Sequence, residues 1–221
     1  MASLMDKTLS FFTGQSRYIT QGKRRFSENQ YYNFNYDVYA LHEISHAVSL
    51  RLYDHYQSIE DKSIVIKKRE DSHFSYRRSE DPNAKELYVD MMVCLSGFIS
   101  EMELLNMQST SAYQDILDWN EEAKRWLTHY SEDYIALPET EAEVKWNSVI
   151  LNKHKNFQAS MIRKLLQENR DTIYQFVDVV SKKKKANDEE ISDFLDKIIV
   201  PESVNISINK IMEEASIIWS Q

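Results

Sequence analysis

Glycine and proline are scarce in this sequence, with only three of each among its 221 residues. These two residue types supply most of the tight turns that join short strands. Their scarcity therefore favours long helices and argues against an all-β fold. Hydrophobic residues make up 42% of the chain and charged residues 28%, which is enough apolar material for a buried core.

Charge and hydropathy exclude several classes of function. The net charge of −8 argues against nonspecific nucleic-acid binding. No stretch reaches the roughly 18 apolar residues that a membrane span needs. Cys94 is the only cysteine and cannot form an intrachain disulfide, and its apolar surroundings predict a buried, inert thiol. We therefore expect a cytoplasmic protein without a membrane span or a nucleic-acid partner.

Hydrophobic periodicity predicts a mainly α-helical fold with a small β-hairpin and a C-terminal helical bundle. The hairpin is predicted between residues 63 and 77, with a turn at 69–72. Gly97 falls inside a predicted helix, where it costs roughly 1 kcal/mol against alanine, so we expect a close helix contact there. The run Lys182–Lys185 is predicted to be a solvated turn. Predicted helices cover about residues 37–56, 83–106, 111–129, 139–168, 170–181, 189–198 and 203–219.

The domain organisation follows from these patterns. Residues 1–30 are polar and unpatterned, which indicates an N-terminal arm. Residues 31–200 contain the hairpin and most of the helices and form the predicted main domain. Residues 201–221 form a C-terminal amphipathic helix that we expect to pack on the main domain or on another subunit.

The sequence contains one HExxH motif, at residues 42–46. His42 and His46 are four residues apart, so both imidazoles project from the same face of a helix and can reach one metal ion. Glu43 stands where the general base of a zinc peptidase is expected. Two imidazoles, a carboxylate and water suit Zn²⁺. A later histidine, glutamate or aspartate must supply the third ligand, and the motif alone does not say which.

Several further stretches resemble the peptidase domain of the FtsH-type, membrane AAA zinc metallopeptidases. That family carries HEAGHA, a helix ending near GGRAAEE, a GASNDL segment, and C-terminal ILxENRDxL and DxEE helices. The resemblance covers about residues 38–200. The matching stretches are 39–48, 95–101, 111–116, 161–171 and 188–191.

The resemblance implies a helical, zincin-like metallopeptidase domain and assigns roles to several residues. Asp115 occupies the position of the family's third zinc ligand, and Glu101 matches the first glutamate of the GGRAAEE segment. The hairpin resembles the family's strands, one of which receives substrate as an edge strand. Substrate contacts are therefore expected at Phe74, Ser75 and Tyr76.

Three functions remain open at this point. The first is a stand-alone zinc endopeptidase that hydrolyses unfolded or flexible polypeptides, since the 221 residues contain no GxxxxGK[ST] nucleotide-binding motif. The second is a peptide-binding or regulatory module of low activity, because Tyr113 places bulk beside the expected third ligand. The third is a metal-dependent hydrolase of another substrate, or a structural metal protein. The sequence does not decide between a homo-oligomer, a monomer and a partnership with a separate ATPase.

Overall fold

The computed structural model describes residues 28–67, 71–106 and 111–219. The chain divides into two units, residues 1–33 and residues 34–221. Residues 1–27, most of the predicted N-terminal arm, lie outside the described residues. The described part of the first unit, residues 28–33, is helical. The second unit contains the hydrophobic core and the elements that carry the HExxH motif and Asp115.

The described part of the chain is mainly helical and includes a small three-stranded antiparallel sheet. None of its helices is both long enough and apolar enough to cross a membrane. The helices are α1 (Glu28–Ser49), α2 (Ala84–Ser100), α3 (Ser111–Tyr130), α4 (Glu141–Glu168), α5 (Arg170–Lys183), α6 (Asp188–Leu195) and α7 (Glu202–Trp219), and the strands are β1 (Ser63–Val65), β2 (His73–Ser75) and β3 (Lys185–Ala186).

Helix α1 differs from its predicted bounds of 37–56 at both ends. It begins at Glu28 and ends at Ser49, and a 3₁₀ turn, Leu50–Leu52, follows it. Tyr53 then takes an extended backbone, with ψ 141°, and its hydroxyl donates to Asp90 on α2. The apolar periodicity continues past residue 49 and so hides this end of the helix in the sequence.

Helix α2 forms the centre of the core and packs most extensively against α3 and then α4. Its N-cap is Asn83, at the start of the predicted range 83–106. The Asn83 side chain accepts the main-chain N–H of Glu86, and the Glu86 carboxylate accepts the N–H of Asn83. Tyr88, Met91, Met92 and Leu95 are fully buried along this helix.

The predicted hairpin is confirmed, and β1 is the central strand of the sheet. Strands β1 and β2 are antiparallel, with Ile64 opposite Phe74. Of the predicted turn at 69–72, residues 69 and 70 lie outside the described residues. Strand β3 pairs with the other side of β1 and was not predicted. The interpretation of Lys182–Lys185 as a turn was wrong in most positions, because α5 extends to Lys183 and Lys185 belongs to β3.

Helix α7 packs on the body of the protein, as expected for an amphipathic C-terminal helix. It contacts α2, α3 and α4. Val204, Ile208 and Ala215 supply its buried face. Helix α7 and the HExxH motif therefore belong to the same compact unit.

Candidate metal centre

Helix α1 presents both histidines of the motif from a rigid, buried position. Leu41, Ile44 and Val48 are at most 1% exposed and fix the helix in the core. His42 and His46 lie on the side that borders a cleft, and both are buried. Their ring centroids are 4.8 Å apart. The i, i+4 spacing thus places the two imidazoles side by side, as the sequence predicts.

Asp115, in the second turn of α3, meets the two imidazoles from the opposite direction. The Nε2 atoms of His42 and His46 are 3.1 Å apart. Asp115 Oδ2 lies 3.3 Å from His42 Nε2, and Asp115 Oδ1 lies 3.5 Å from His46 Nε2. Among the described residues, these three form the one group of histidine, cysteine or acidic side chains close enough to hold a metal ion.

The other ring nitrogen of each histidine is already engaged. His42 Nδ1 lies 2.7 Å from Glu101 Oε1, and His46 Nδ1 lies 2.6 Å from the carbonyl oxygen of Val93. A carbonyl oxygen only accepts, so His46 Nδ1 carries a proton, and the contact of His42 Nδ1 with the Glu101 carboxylate favours a proton there as well. With both rings neutral, the two Nε2 atoms would direct lone pairs at each other and at the Asp115 carboxylate. Three acceptors at this separation repel one another unless a cation lies among them.

The electrostatics of the buried cluster favour a positive charge. Burial would lower the pKa of His42, but hydrogen bonding and charge from Asp115 and Glu101 outweigh it and raise the pKa to about 10. Burial would raise the pKa of Asp115, but His46 and His42 hold it below its ordinary value. The carboxylate therefore stays ionised and draws a cation toward the imidazoles.

Gly97 on α2 leaves the space beside these three side chains open. A Cβ atom at this position would stand 2.5 Å from His46 Nε2, 2.6 Å from His42 Cε1 and 2.7 Å from Asp115 Oδ2. Each distance is shorter than real side chains tolerate, so alanine would displace the cluster. The expected close contact at Gly97 is therefore a contact with the three side chains of this cluster.

Asp115 Oδ2 is a buried polar atom without a hydrogen bond of acceptable geometry. Its nearest polar neighbour, His42 Nε2, lies 3.3 Å away. An unsatisfied buried carboxylate oxygen is costly and calls for a partner. A metal ion bound by both Nε2 atoms and this carboxylate would satisfy it. The residues present thus fit a divalent metal with nitrogen and oxygen ligands.

Glu43 lies next to the cluster and borders the same cleft. Its side chain is buried, and burial raises the pKa of its carboxyl, although His46 and His42 oppose the shift. The nearby main-chain N–H of Phe74 also opposes the shift. The cleft has a volume of about 530 Å³ and is lined by His42, Glu43, His46, Ser72, His73, Phe74, Tyr76, Arg78, Val93, Cys94, Tyr113, Gln114, Asp115 and Asp118.

The structure brings two of the three expected substrate residues to the cleft. Phe74 and Tyr76 line it, and their rings stack with centroids 5.5 Å apart. Ser75 does not line the cleft, because its hydroxyl lies 2.8 Å from that of Ser63 on β1. Strand β2 is at an edge of the described sheet, and Phe74 and Glu43 line the same cleft.

Tyr113 and Cys94 also border the cleft. Tyr113 is 68% exposed, so its ring lies mostly in solvent at the rim. Cys94 is buried as predicted, and burial raises the pKa of its thiol to about 12, which leaves it protonated and unreactive. The structure therefore gives Cys94 no nucleophilic character, although it forms part of the wall.

Sequence reasoning gave no role to the groups that orient the histidines. Glu101 is fully buried and opens a short π-helical stretch, Glu101–Leu105, directly after α2. π-Helical segments are rare and occur often at functional sites. A sequence signal did exist, since Glu101 matches a glutamate of the resembled family. The Val93 carbonyl has no sequence signal, because any residue supplies one.

Comparison with known proteins adds no relative. No protein-family model matches the chain. No curated protein is significantly similar to it.

Proposed function

We propose that this protein is a zinc-dependent peptidase with a zincin-like domain of the FtsH type. The observation that carries the proposal is the convergence of His42 Nε2, His46 Nε2 and the Asp115 carboxylate beside Glu43. Zinc peptidases use this set of groups, two imidazoles and a carboxylate on the metal with a glutamate next to the reacting water. The single buried, unpaired cysteine suits a cytoplasmic location.

His42, His46 and Asp115 would hold the metal, and Glu101 and Val93 would fix the orientation of the two rings. When bound, zinc supplies a Lewis acid that makes water more acidic and polarises a peptide carbonyl. Hydrogen bonds to the far nitrogen of a metal-binding histidine strengthen metal binding, typically by 10- to 100-fold. This arrangement supports a tightly bound ion rather than an occasional one.

Glu43 would transfer the proton in the reaction. One of its carboxylate oxygens takes a proton from the attacking water as the new C–O bond forms at the scissile carbonyl. The same oxygen then delivers that proton to the amide nitrogen as the C–N bond breaks. Burial raises the pKa of Glu43, which brings it closer to the pH at which a group both accepts and returns a proton efficiently.

Strand β2 would bind the substrate backbone. Its edge borders the cleft, whose lining includes Glu43. An extended polypeptide can add to such an edge through main-chain hydrogen bonds, with Phe74 and Tyr76 contacting its side chains. Binding of this kind reads the backbone more than the side chains, so unfolded or flexible segments of many sequences are suitable substrates.

One preparation tests the proposal. Bound metal is measured by elemental analysis, and cleavage of unfolded casein is compared between wild type and Glu43→Gln. We expect about one zinc per chain in both proteins and cleavage in wild type alone. Equal cleavage by the two proteins would reject Glu43 as the proton carrier. Bound zinc without cleavage in either protein would favour a peptide-binding module.

A further inference from the structure

Asp90 is a buried carboxylate on which three side chains converge, two of which line the cleft. It lies on α2, three residues before Val93, and is 3% exposed. Its Oδ1 atom accepts from the hydroxyl of Tyr53 at 2.5 Å and from the hydroxyl of Tyr76. Arg78 Nε lies 3.8 Å from the same oxygen. One atom therefore connects α2 to the chain after the metal helix and to the chain after β2.

Tyr76 and Arg78 connect this carboxylate to the wall of the cleft. Tyr76 directly follows β2, and both residues line the cleft. Arg78 Nη1 also donates to Glu122 Oε1 on α3 at 2.7 Å. The segment that continues β2 is therefore bonded to α2 through Asp90 and to α3 through Glu122. Helix α3 also carries Asp115.

The sheet alone does not fix β2 relative to the metal centre. Strand β2 has three residues and, among the described strands, pairs only with β1. Short edge strands held by few ladder bonds shift easily. Helix α2, in contrast, bonds directly to the cluster, since the Val93 carbonyl accepts from His46 Nδ1. The Asp90 contacts therefore join the strand edge to the helix that orients the metal-binding side chains.

We propose that Asp90 is a positioning residue that holds the β2 edge at the distance from the metal centre at which a bound polypeptide is cleaved. The inference rests on the proposed function, because it assumes that substrate adds to β2. An ionised carboxylate accepts stronger hydrogen bonds than an amide and also attracts Arg78. Asparagine has almost the same shape as aspartate but lacks the charge, so it tests this role with little change in packing.

The hydroxyl donors to Asp90 remain protonated across the usable pH range. Burial, with the charge of Asp90, raises the pKa of Tyr76, and burial and the neighbouring Tyr76 and Asp90 raise that of Tyr53. The carboxylate thus has stable donors on both sides. Removing one hydroxyl is a second, milder way to loosen the strand, and Tyr76→Phe does so at the strand itself.

The experiment compares substrates of different length. The long substrate is a fluorescent unfolded peptide of about ten residues, and the short one is a blocked dipeptide. Affinity for the long peptide is measured in the Glu43→Gln background, where it is not cleaved. The kcat/KM values for both substrates are measured with Glu43 intact. For Asp90→Asn we expect bound zinc to stay at the wild-type level and long-peptide affinity to fall about tenfold, the loss of one or two net hydrogen bonds. The dipeptide, which has too few main-chain groups to add to the strand, should lose less than about threefold in kcat/KM. Tyr76→Phe should show the same length dependence.

The control is Asp54→Asn, which removes the charge of an exposed carboxylate. Asp54 pairs with Lys85, which lies on α2, the helix that carries Asp90. The control variant should behave as wild type with both substrates. Equal losses on long and short substrates, loss of zinc, or unchanged long-peptide affinity in Asp90→Asn would each overturn the positioning role. If the wild type binds the long peptide but does not cleave it, the proposed hydrolase activity is rejected. The affinities of wild type and Asp90→Asn for the long peptide would then still test whether Asp90 positions the β2 edge. A wild type that binds no peptide would overturn both.

Discussion

Glu101 Oε1 lies 2.7 Å from His42 Nδ1, on the side of the ring opposite the Nε2 atom that faces His46 and Asp115. Both partners are buried, so water does not compete for this contact. The carboxylate fixes the ring and increases the electron density on the opposite nitrogen. Glu101 therefore prepares His42 for a metal ion that Glu101 itself does not touch.

The first prediction concerns this contact. Glu101→Gln keeps the shape of the side chain but removes the charge, so we expect zinc affinity to fall by roughly 10- to 100-fold. The measurement is competition with a chromophoric chelator at fixed pH. Glu103→Gln is the matched control, because Glu103 belongs to the same π-helical stretch but contacts Arg163 and Gln167. Equal affinities for the Glu101 and Glu103 variants would contradict the orienting role.

The second prediction concerns Gly97→Ala. Alanine favours a helix over glycine by roughly 1 kcal/mol, so helix propensity alone would stabilise the variant. The added Cβ, however, would stand 2.5 Å from His46 Nε2 and must displace it. We expect a folded protein with the wild-type circular dichroism spectrum and little bound zinc. Full zinc occupancy in this variant would show that the ion does not lie among these side chains.

The secondary structure was predictable wherever it depends on local pattern. Helices α3 to α7 lie close to their predicted ranges because apolar residues recur at helical spacing, and clear caps begin two of them, Thr140 for α4 and Asn187 for α6. Strand β3 was missed because its two residues, Lys185 and Ala186, have no periodicity and form a strand only by pairing with β1. Local sequence does not encode a pairing that depends on a distant partner.

The residues of the candidate site that lie close together in sequence were predictable from the sequence, and the distant ones were not. His42, Glu43 and His46 belong to one helix, so their spacing alone places them together. Asp115 lies sixty-nine residues beyond His46 in sequence, and only the family resemblance pointed to it. The contact of Gly97 with the cluster depends on how α2 crosses α1 and α3, which no pattern in one segment reveals.

The third prediction concerns removal and return of metal. Zinc at about 100 times its dissociation constant should stabilise the fold by about 2.7 kcal/mol, which for a domain of this size raises Tm by roughly 5–10 °C. Asp115→Ala should lose most of this shift and most of the bound zinc. Asp118→Ala, one turn further along α3 and exposed, should keep both. The measurement is thermal unfolding with zinc and with chelator, and an equal zinc shift in both variants would place the third ligand elsewhere.

The fourth prediction concerns pH and His154, which lines a second groove beside Trp126. Burial lowers the pKa of His154, and Lys153 lowers it further, while Glu214 and Asp133 oppose the shift. Because the folded protein binds this proton less readily than the unfolded chain, stability falls as pH drops through the unfolded pKa of about 6.5. His154→Gln cannot bind the proton, so its stability should fall less between about pH 7.5 and 5.5. Urea unfolding of both proteins at these pH values measures the difference, in which all other titrating groups cancel. Parallel stability profiles would contradict a lowered pKa of the partly buried His154.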